Sequence, residues 1–168
     1  TTDLCPVTTF DGEQLYRQGD EPTPGEIRSR RSHFYDPYHA ALDVEIGRLK
    51  AEHRHVALYD CHSSRSRVPR LFAGELPVLN LGTNSGRSCD PTLEHLAANA
   101  CRQSGFSSVL NGRFTGGAIT RNFGRPGDGV HAVQMELACR GYMDEPADPN
   151  EGNWPSPYDD MRAGQLRS

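Results

Sequence analysis

Apolar and polar positions in the first third of the chain predict a helical segment. Thr23 as N-cap, Pro24 in the first turn and Glu26 as capping-box partner indicate where a helix begins. We expect this helix to break near Asp36, because Pro37 disfavours helical geometry in the residue before it. The helix should then resume with one core-facing stripe, formed by Tyr38, Leu42, Ile46 and Leu49.

Short apolar runs in the remainder of the chain predict strands, with one helix between them. The runs cover residues 55–60, 107–110 and 130–137. Asp90 as N-cap and Pro91 at the first helical position start a helix that should end near Gly105. This mixture predicts the α/β fold class, with a mixed sheet flanked by helices.

Size and composition limit the class of protein further. The chain has 168 residues, enough for a single domain spanning 1–168, and its acidic, proline-rich end suggests a loosely ordered tail over 146–168. No apolar run approaches the roughly 20 residues of a membrane-spanning helix. The net charge of -4 argues against a general affinity for nucleic acid or anionic membranes.

The cysteines and the amino terminus favour a cytoplasmic protein. Five cysteines form an odd number without a CxxC pair, so neither a disulfide framework nor a cysteine-rich zinc knuckle is indicated. Residues 1–6 lack the charged and apolar regions of a signal peptide. The chain also begins with threonine instead of methionine, and we expect that an upstream segment precedes it.

The first candidate site follows the predicted strand 55–60, at the start of a long polar stretch over 61–88 that we expect to be a loop. Long loops inside compact domains are often functional. Asp60 and His62 are two apart on a strand and should face the same way, whereas Cys61 should point to the other side. A neutral imidazole here could bind zinc while Asp60 accepts its other N–H. A hydrogen-bonded structural histidine is the alternative.

Two further segments carry a candidate side chain each, one for binding an acidic substrate and one for proton transfer. Arg121 follows a glycine pair and presents a fork of N–H donors that matches a carboxylate, whereas a surface turn is the alternative. Glu136 interrupts the last apolar strand and alternates with Gln134. If it is buried beside a metal-bound water, Glu136 could accept the proton of that water, whereas a half-exposed strand face is the alternative.

Six segments together resemble the N-formylglutamate amidohydrolase family. The densest are DCHSSRS (60–66), PRLFAGELPVLNLGTNSGRSC (69–89), NGRFTGGAITRNFGRP (111–126) and HAVQMELACRGYM (131–143). The resemblance extends to FDGEQLYRQGDEP (10–22) and PYHAALDVEI (37–46). It implies hydrolysis of N-formyl-L-glutamate to formate and glutamate at the end of histidine degradation, and a fold related to zinc carboxypeptidases and aspartoacylases.

The resemblance also implies roles for single residues and a divalent metal, expected to be zinc. His62 matches a metal-ligand position and Glu136 a general-base position, with Asp60 as the residue that orients His62. Residues implied to contact the substrate, a small acidic N-acyl amino acid, are Arg121, Asn80, Thr83, Arg70 and His131.

One element of the family pattern is not found in this sequence. Members of the family share an upstream Pro-His-x-Gly motif that resembles the first metal-binding element, and His62 alone cannot form a three-ligand zinc site. We therefore expect an incomplete version of the zinc-carboxypeptidase-like fold. The alternatives are a deacylase of another N-acyl amino acid, a non-catalytic binding module, an amidohydrolase with Thr1 as nucleophile, and one with Cys61 as nucleophile.

Overall fold

A computed structural model of the chain describes residues 3–167, so Thr1, the alternative nucleophile, lies outside the described residues. The chain divides into two compact units. The chain up to Arg54 forms the first unit together with Val68–Ala73. The second unit consists of His55–Arg67 and the chain from Gly74 onwards. The single domain over 1–168 stays a prediction.

The first unit contains one long helical segment. Helix α1 (Pro24–Arg30) begins where predicted, and the Thr23 hydroxyl accepts the Glu26 N–H at 3.2 Å. A π-helical turn (Arg31–Tyr35) connects it to α2 (Asp36–Glu52). The predicted break at Asp36 is therefore wrong.

The reason is that the turn before Pro37 is π-helical: the Asp36 N–H donates to the Arg31 carbonyl, five residues back, and the helical backbone continues into Pro37 although the proline has no N–H to donate. Asp36 itself keeps helical angles, with φ -63° and ψ -44°. The predicted core stripe is confirmed in part, because Ile46 is buried but Tyr38 is 56% exposed.

The second unit contains a four-stranded mixed sheet, which confirms the predicted fold class. Its strands are β1 (Val56–Ser64), β2 (Leu79–Gly82), β3 (Ser108–Leu110) and β4 (Val130–Ala138). They lie in the order β1-β4-β2-β3. Strand β4 runs parallel to β1 and antiparallel to β2, and β2 pairs in parallel with β3. Strand β2 falls within the stretch that the sequence predicted to be a loop.

Helices of the second unit are α3 (Pro91–Gln103), α4 (Ala118–Phe123) and α5 (Asp160–Arg167), with short 3-10 turns at Pro126–Asp128 and Cys139–Gly141. Asp90 caps α3 as predicted, accepting the Thr92 N–H at 2.8 Å. Leu81, Met135 and Val133 on one sheet face pack with Ala98 and Cys101 of α3 in a buried cluster. This leaves the opposite sheet face for polar side chains.

The carboxyl-terminal part of the chain includes the last helix. Helix α5 falls within 146–168, and Leu166 packs against the buried cluster. The loosely ordered tail stays a prediction. No described helix has both the length and the apolar character needed to span a membrane.

Candidate active site

The polar face of the sheet brings several of the predicted residues together. Register pairs in neighbouring strands point to the same side of a sheet, and residues two apart on one strand share that side. His62 of β1 and Asn80 of β2 are the partners of Glu136 on β4, one on each side. Asp60 is likewise the partner of Gln134. The cluster lies toward the carboxyl ends of the parallel strands β1 and β4, where α/β folds commonly place their sites.

Asp60 and His62 form a hydrogen-bonded pair, as expected from their spacing. The Nε2 atom of His62 lies 3.0 Å from Oδ1 of Asp60. The Asp60 side chain is 13% exposed and that of His62 is 49% exposed. Because a carboxylate only accepts hydrogen bonds, Nε2 carries the proton and the lone pair of a neutral ring is on Nδ1.

Glu136 is a carboxylate inside the sheet. The residue is 7% exposed, and this burial raises the pKa of its carboxyl above the ordinary value of 4.5, while the nearby charge of His62 acts in the opposite direction. The Gln134 amide nitrogen lies 3.4 Å from Oε2 of Glu136. A carboxylate with an increased proton affinity is better suited to accept a proton near neutral pH.

Asn80 connects β2 to the backbone of Glu136. Its Nδ2 donates to the Glu136 carbonyl at 3.0 Å and to the Pro77 carbonyl at 2.7 Å. The Oδ1 atom of Asn80 is buried without a hydrogen-bond partner among residues 3–167. In this arrangement Asn80 fixes the position of the Glu136 backbone relative to β2.

Thr83 belongs to a buried network that faces α3. Its hydroxyl donates to the Glu94 carboxylate and accepts from Nδ2 of Asn111 at 2.8 Å. Its backbone N–H donates to Oδ1 of Asn111 at 2.9 Å. These contacts hold the turn after β2 against α3.

His131 lies at the beginning of β4, five residues before Glu136. Its Nδ1 accepts the Asp90 N–H at 3.1 Å, and its Nε2 lies 3.2 Å from Nδ1 of His55. The His131 side chain is thus engaged at the amino end of the parallel strands, and the structure does not bring it to Glu136.

The two predicted arginines each donate to a backbone carbonyl, and Arg121 forms no ion pair with Glu136 in the part of the chain that the structure describes. Arg121 lies on α4, which runs beside β4 and β1, and is exposed. It donates from Nη1 to the Gly116 carbonyl at 3.0 Å. Arg70 belongs to the first unit, where its Nη1 donates to the Thr9 carbonyl at 3.0 Å.

Glu145 is a structural acid of the second unit that sequence reasoning missed. Its Oε1 accepts the Ser66 N–H at 2.6 Å and its Oε2 accepts the Arg140 N–H at 3.1 Å. These two residues follow the ends of β1 and β4, so Glu145 joins the exits of the strands that carry His62 and Glu136. No local pattern marks this role, because only the pairing of β1 with β4 brings the two N–H groups together.

A catalytic zinc site needs about three protein ligands. No group of three or more His, Cys, Asp or Glu side chains is placed to hold a metal ion in the part of the chain that the structure describes. His62 offers Nδ1, and Asp60 offers Oδ2, a buried oxygen without a hydrogen-bond partner in the same range. These described residues therefore do not make a three-ligand zinc site by themselves.

Comparison with known proteins gives the same family that the motifs indicated. The model of the family "N-formylglutamate amidohydrolase" matches residues 1–143. A protein from Pseudomonas aeruginosa named N-formylglutamate deformylase is 52% identical over 148 residues, which are 88% of this chain and 56% of that protein. A protein of the same name from Pseudomonas putida is 46% identical over 146 residues, 86% of this chain and 55% of that protein.

The fold is similar to that of a solved structure. The crystal structure of N-formylglutamate amidohydrolase from Ralstonia eutropha JMP134 matches with a TM-score of 0.72 over 95% of this chain and 56% of that chain, at 23% sequence identity. The chain thus spans just over half the length of the relatives it matches. With a family match over 143 of its 168 residues, the chain belongs to the N-formylglutamate amidohydrolase family.

Proposed function

We propose that this chain hydrolyses N-formyl-L-glutamate to formate and L-glutamate, with Glu136 as general base. The observation that carries the proposal is the buried carboxylate of Glu136 beside the Asp60–His62 pair, at the carboxyl ends of two parallel strands. The names of two relatives that match most of the chain support the same reaction.

The chemistry assigned to Glu136 is a proton transfer in two directions. Glu136 removes a proton from water while the water oxygen bonds to the formyl carbon, which gives a tetrahedral intermediate. The C–N bond then breaks as Glu136 returns the proton to the departing nitrogen. Formate and the free amine of glutamate are the products. The raised pKa of Glu136 favours the first step, because a more basic carboxylate takes the water proton more readily and holds it until the C–N bond breaks.

Arg121 is proposed to bind a carboxylate of the substrate. Its guanidinium is exposed on α4 and uses Nη1 for one carbonyl, so its remaining donors can form the paired hydrogen bonds that a carboxylate requires. Asn80, Thr83, Arg70 and His131 stay predicted substrate contacts. For these four residues the recorded hydrogen bonds favour structural roles.

A divalent metal, zinc, is proposed at Nδ1 of His62, with Asp60 orienting the ring through Nε2. One imidazole is less than a zinc site needs, so the proton transfers above are assigned to side chains alone. Binding of zinc to the chain by isothermal titration, in wild type and in His62→Ala, tests this separately. Equal binding by the two proteins would remove His62 as a ligand.

The same proposal makes the chain an enzyme that acts on a small molecule. Removal of a formyl group from glutamate would complete histidine degradation, and the cysteine pattern favours a cytoplasmic location. The proposed binding partner is a small acidic N-acyl amino acid. Profiling of N-formyl, N-acetyl and N-succinyl amino acids would separate a deformylase from a deacylase of another substrate.

Formate release from N-formyl-L-glutamate by the 168-residue chain is the direct test, measured after chelation and again after zinc is added. We expect turnover in wild type and a loss of about a thousandfold in Glu136→Gln, the size of effect that removal of a general base produces. Circular dichroism checks that the variant is folded. A folded wild type without turnover in either state would favour a non-catalytic binding module.

A further inference from the structure

Gln134 is a buried polar residue on the site face to which no role has been assigned. It is 5% exposed and lies two positions before Glu136 on β4. A buried amide that only filled space would carry a desolvation cost that an apolar side chain of the same size avoids. Its contacts therefore indicate what it does.

The amide nitrogen of Gln134 is directed at the Glu136 carboxylate, with Nε2 and Oε2 3.4 Å apart. The form of Glu136 that acts as a general base is the ionised carboxylate, which cannot donate, so the nitrogen and not the oxygen of the amide faces it. The Oε1 atom of Gln134 is then left buried, without a hydrogen-bond partner among residues 3–167. Among residues 3–167, the side chain of Gln134 therefore makes one hydrogen bond, and Glu136 accepts it.

The surroundings keep the Gln134 amide in this position. A Cβ atom at Gly117 would come within 3.0 Å of Oε1, so the backbone of Gly117 closes the space next to the amide oxygen. Gly82, the partner of Gln134 on β2, is covered by backbone atoms of Thr115 and Gly116, which lie 2.9 and 2.8 Å from where its Cβ would be. On the β1 side the partner of Gln134 is Asp60.

We propose that Gln134 is a positioning residue for Glu136, which holds the carboxylate in one orientation by donating from Nε2 to Oε2. This inference rests on the catalytic role proposed for Glu136. A fixed carboxylate reaches the attacking water without first losing rotational freedom, so Gln134 contributes to the rate of the chemical step and not to substrate binding. Hydrogen bonds of this kind are often long before substrate binds and shorten in the complex.

Gln134→Met separates positioning from packing, because methionine fills a similar volume but donates no hydrogen bond. We expect kcat to fall about tenfold, the equivalent of one hydrogen bond to a charged group, with KM within a factor of two. Gln103→Met, on the exposed side of α3, is the matched control and should leave both constants unchanged. An unchanged kcat in Gln134→Met, or a loss that falls on KM alone, would overturn the proposal.

A second measurement does not need turnover. In protein labelled with 13C at glutamate carboxyls, the Glu136 line is identified by its absence from Glu136→Gln. We expect it to move in Gln134→Met and to stay in place in Gln103→Met. If wild type has no activity, the proposed function fails, and an unmoved Glu136 line would then overturn the positioning role independently. Should Gln134→Met not fold, Gln134→Asn, which is one methylene too short to reach Oε2, is measured in the same two ways.

Discussion

At the scale of single residues, the candidate site carries a cost in stability. Glu136 is buried, and its carboxyl has a pKa above the ordinary value because burial disfavours the charged form. The folded chain therefore binds this proton more tightly than the unfolded chain does. By linkage, the contribution of Glu136 to stability is most favourable at acid pH and is lost as pH rises from about 4.5 through the raised pKa.

Glu136→Gln should therefore stabilise the fold at neutral and alkaline pH. We expect a gain of about 1 kcal/mol at pH 8, a typical cost for an incompletely paired buried polar group, which shrinks towards zero near pH 4. Urea unfolding in the presence of a chelator, between pH 4 and pH 8, measures the difference in free energy of unfolding between the variant and wild type. Glu151→Gln, at an exposed position, is the control. A gain of equal size at pH 4 and pH 8 would show that ionisation of Glu136 is not its cause.

The sequence predicted some residue contacts and not others, for a physical reason. Asp60 and His62 are two apart on one strand, so their convergence follows from strand geometry alone. The meeting of His62 with Glu136 depends on the pairing of β1 with β4, which spacing along the chain does not contain. His131 and Glu136 lie five residues apart on one strand, so the same strand geometry already places them near opposite ends of β4 and on opposite faces of the sheet.

At the scale of elements, α4 ends where two backbone segments touch. Gly124 is the C-cap of α4, and a Cβ atom there would lie 2.5 Å from the Cβ and 2.7 Å from the carbonyl oxygen of Ser88. Ser88 is held on β4 by two 2.7 Å hydrogen bonds to Ala132, one from its hydroxyl and one to its carbonyl. Ser88 therefore cannot move aside without breaking its connection to the sheet.

Gly124→Ala should destabilise the chain by about 2 kcal/mol through overpacking. Gly127→Ala is the matched control, because nothing lies within 4 Å of the added Cβ and its backbone does not need a positive φ. We expect the control to stay within about 0.5 kcal/mol of wild type. Thermal unfolding of both variants decides the matter, and similar Tm values for the two would contradict the close approach of α4 to Ser88.

Elements with a strong local signal were the ones predicted from sequence. The N-caps Thr23 and Asp90 mark the starts of α1 and α3, because their side chains satisfy free N–H groups within three residues. Strand β2 has only four residues, and all four are buried between β4 and β3, so neither length nor alternation marks it. The predicted break near Asp36 failed because the π-helical turn over Arg31–Tyr35 carries the helical backbone into Pro37, and no sequence pattern marks such a turn.

At the scale of the whole molecule, the two compact units differ in how much apolar surface they bury. Among residues 3–167, the buried apolar side chains of the first unit are Ile46 and Val68, whereas Phe34 and Val44 are 74% and 73% exposed. The second unit contains the buried cluster between α3 and the sheet. Since burial of apolar surface is the main stabilising term, the first unit should open at a lower free energy than the second.

Native-state hydrogen exchange provides the test of this difference. We expect amides of α2, in the first unit, to exchange at least about a hundredfold faster than amides of β4, which corresponds to some 2.7 kcal/mol in opening free energy. Helix α3 is the internal control, because it is a helix like α2 but packs on the sheet through Ala98 and Cys101. If α3 exchanges as slowly as β4 while α2 exchanges fast, the difference in exchange rate follows the division into units and not the type of secondary structure. Equal protection of α2 and α3 would contradict the prediction. It would mean that the two units unfold together in one cooperative step, so that the apolar burial within a unit does not set its opening free energy.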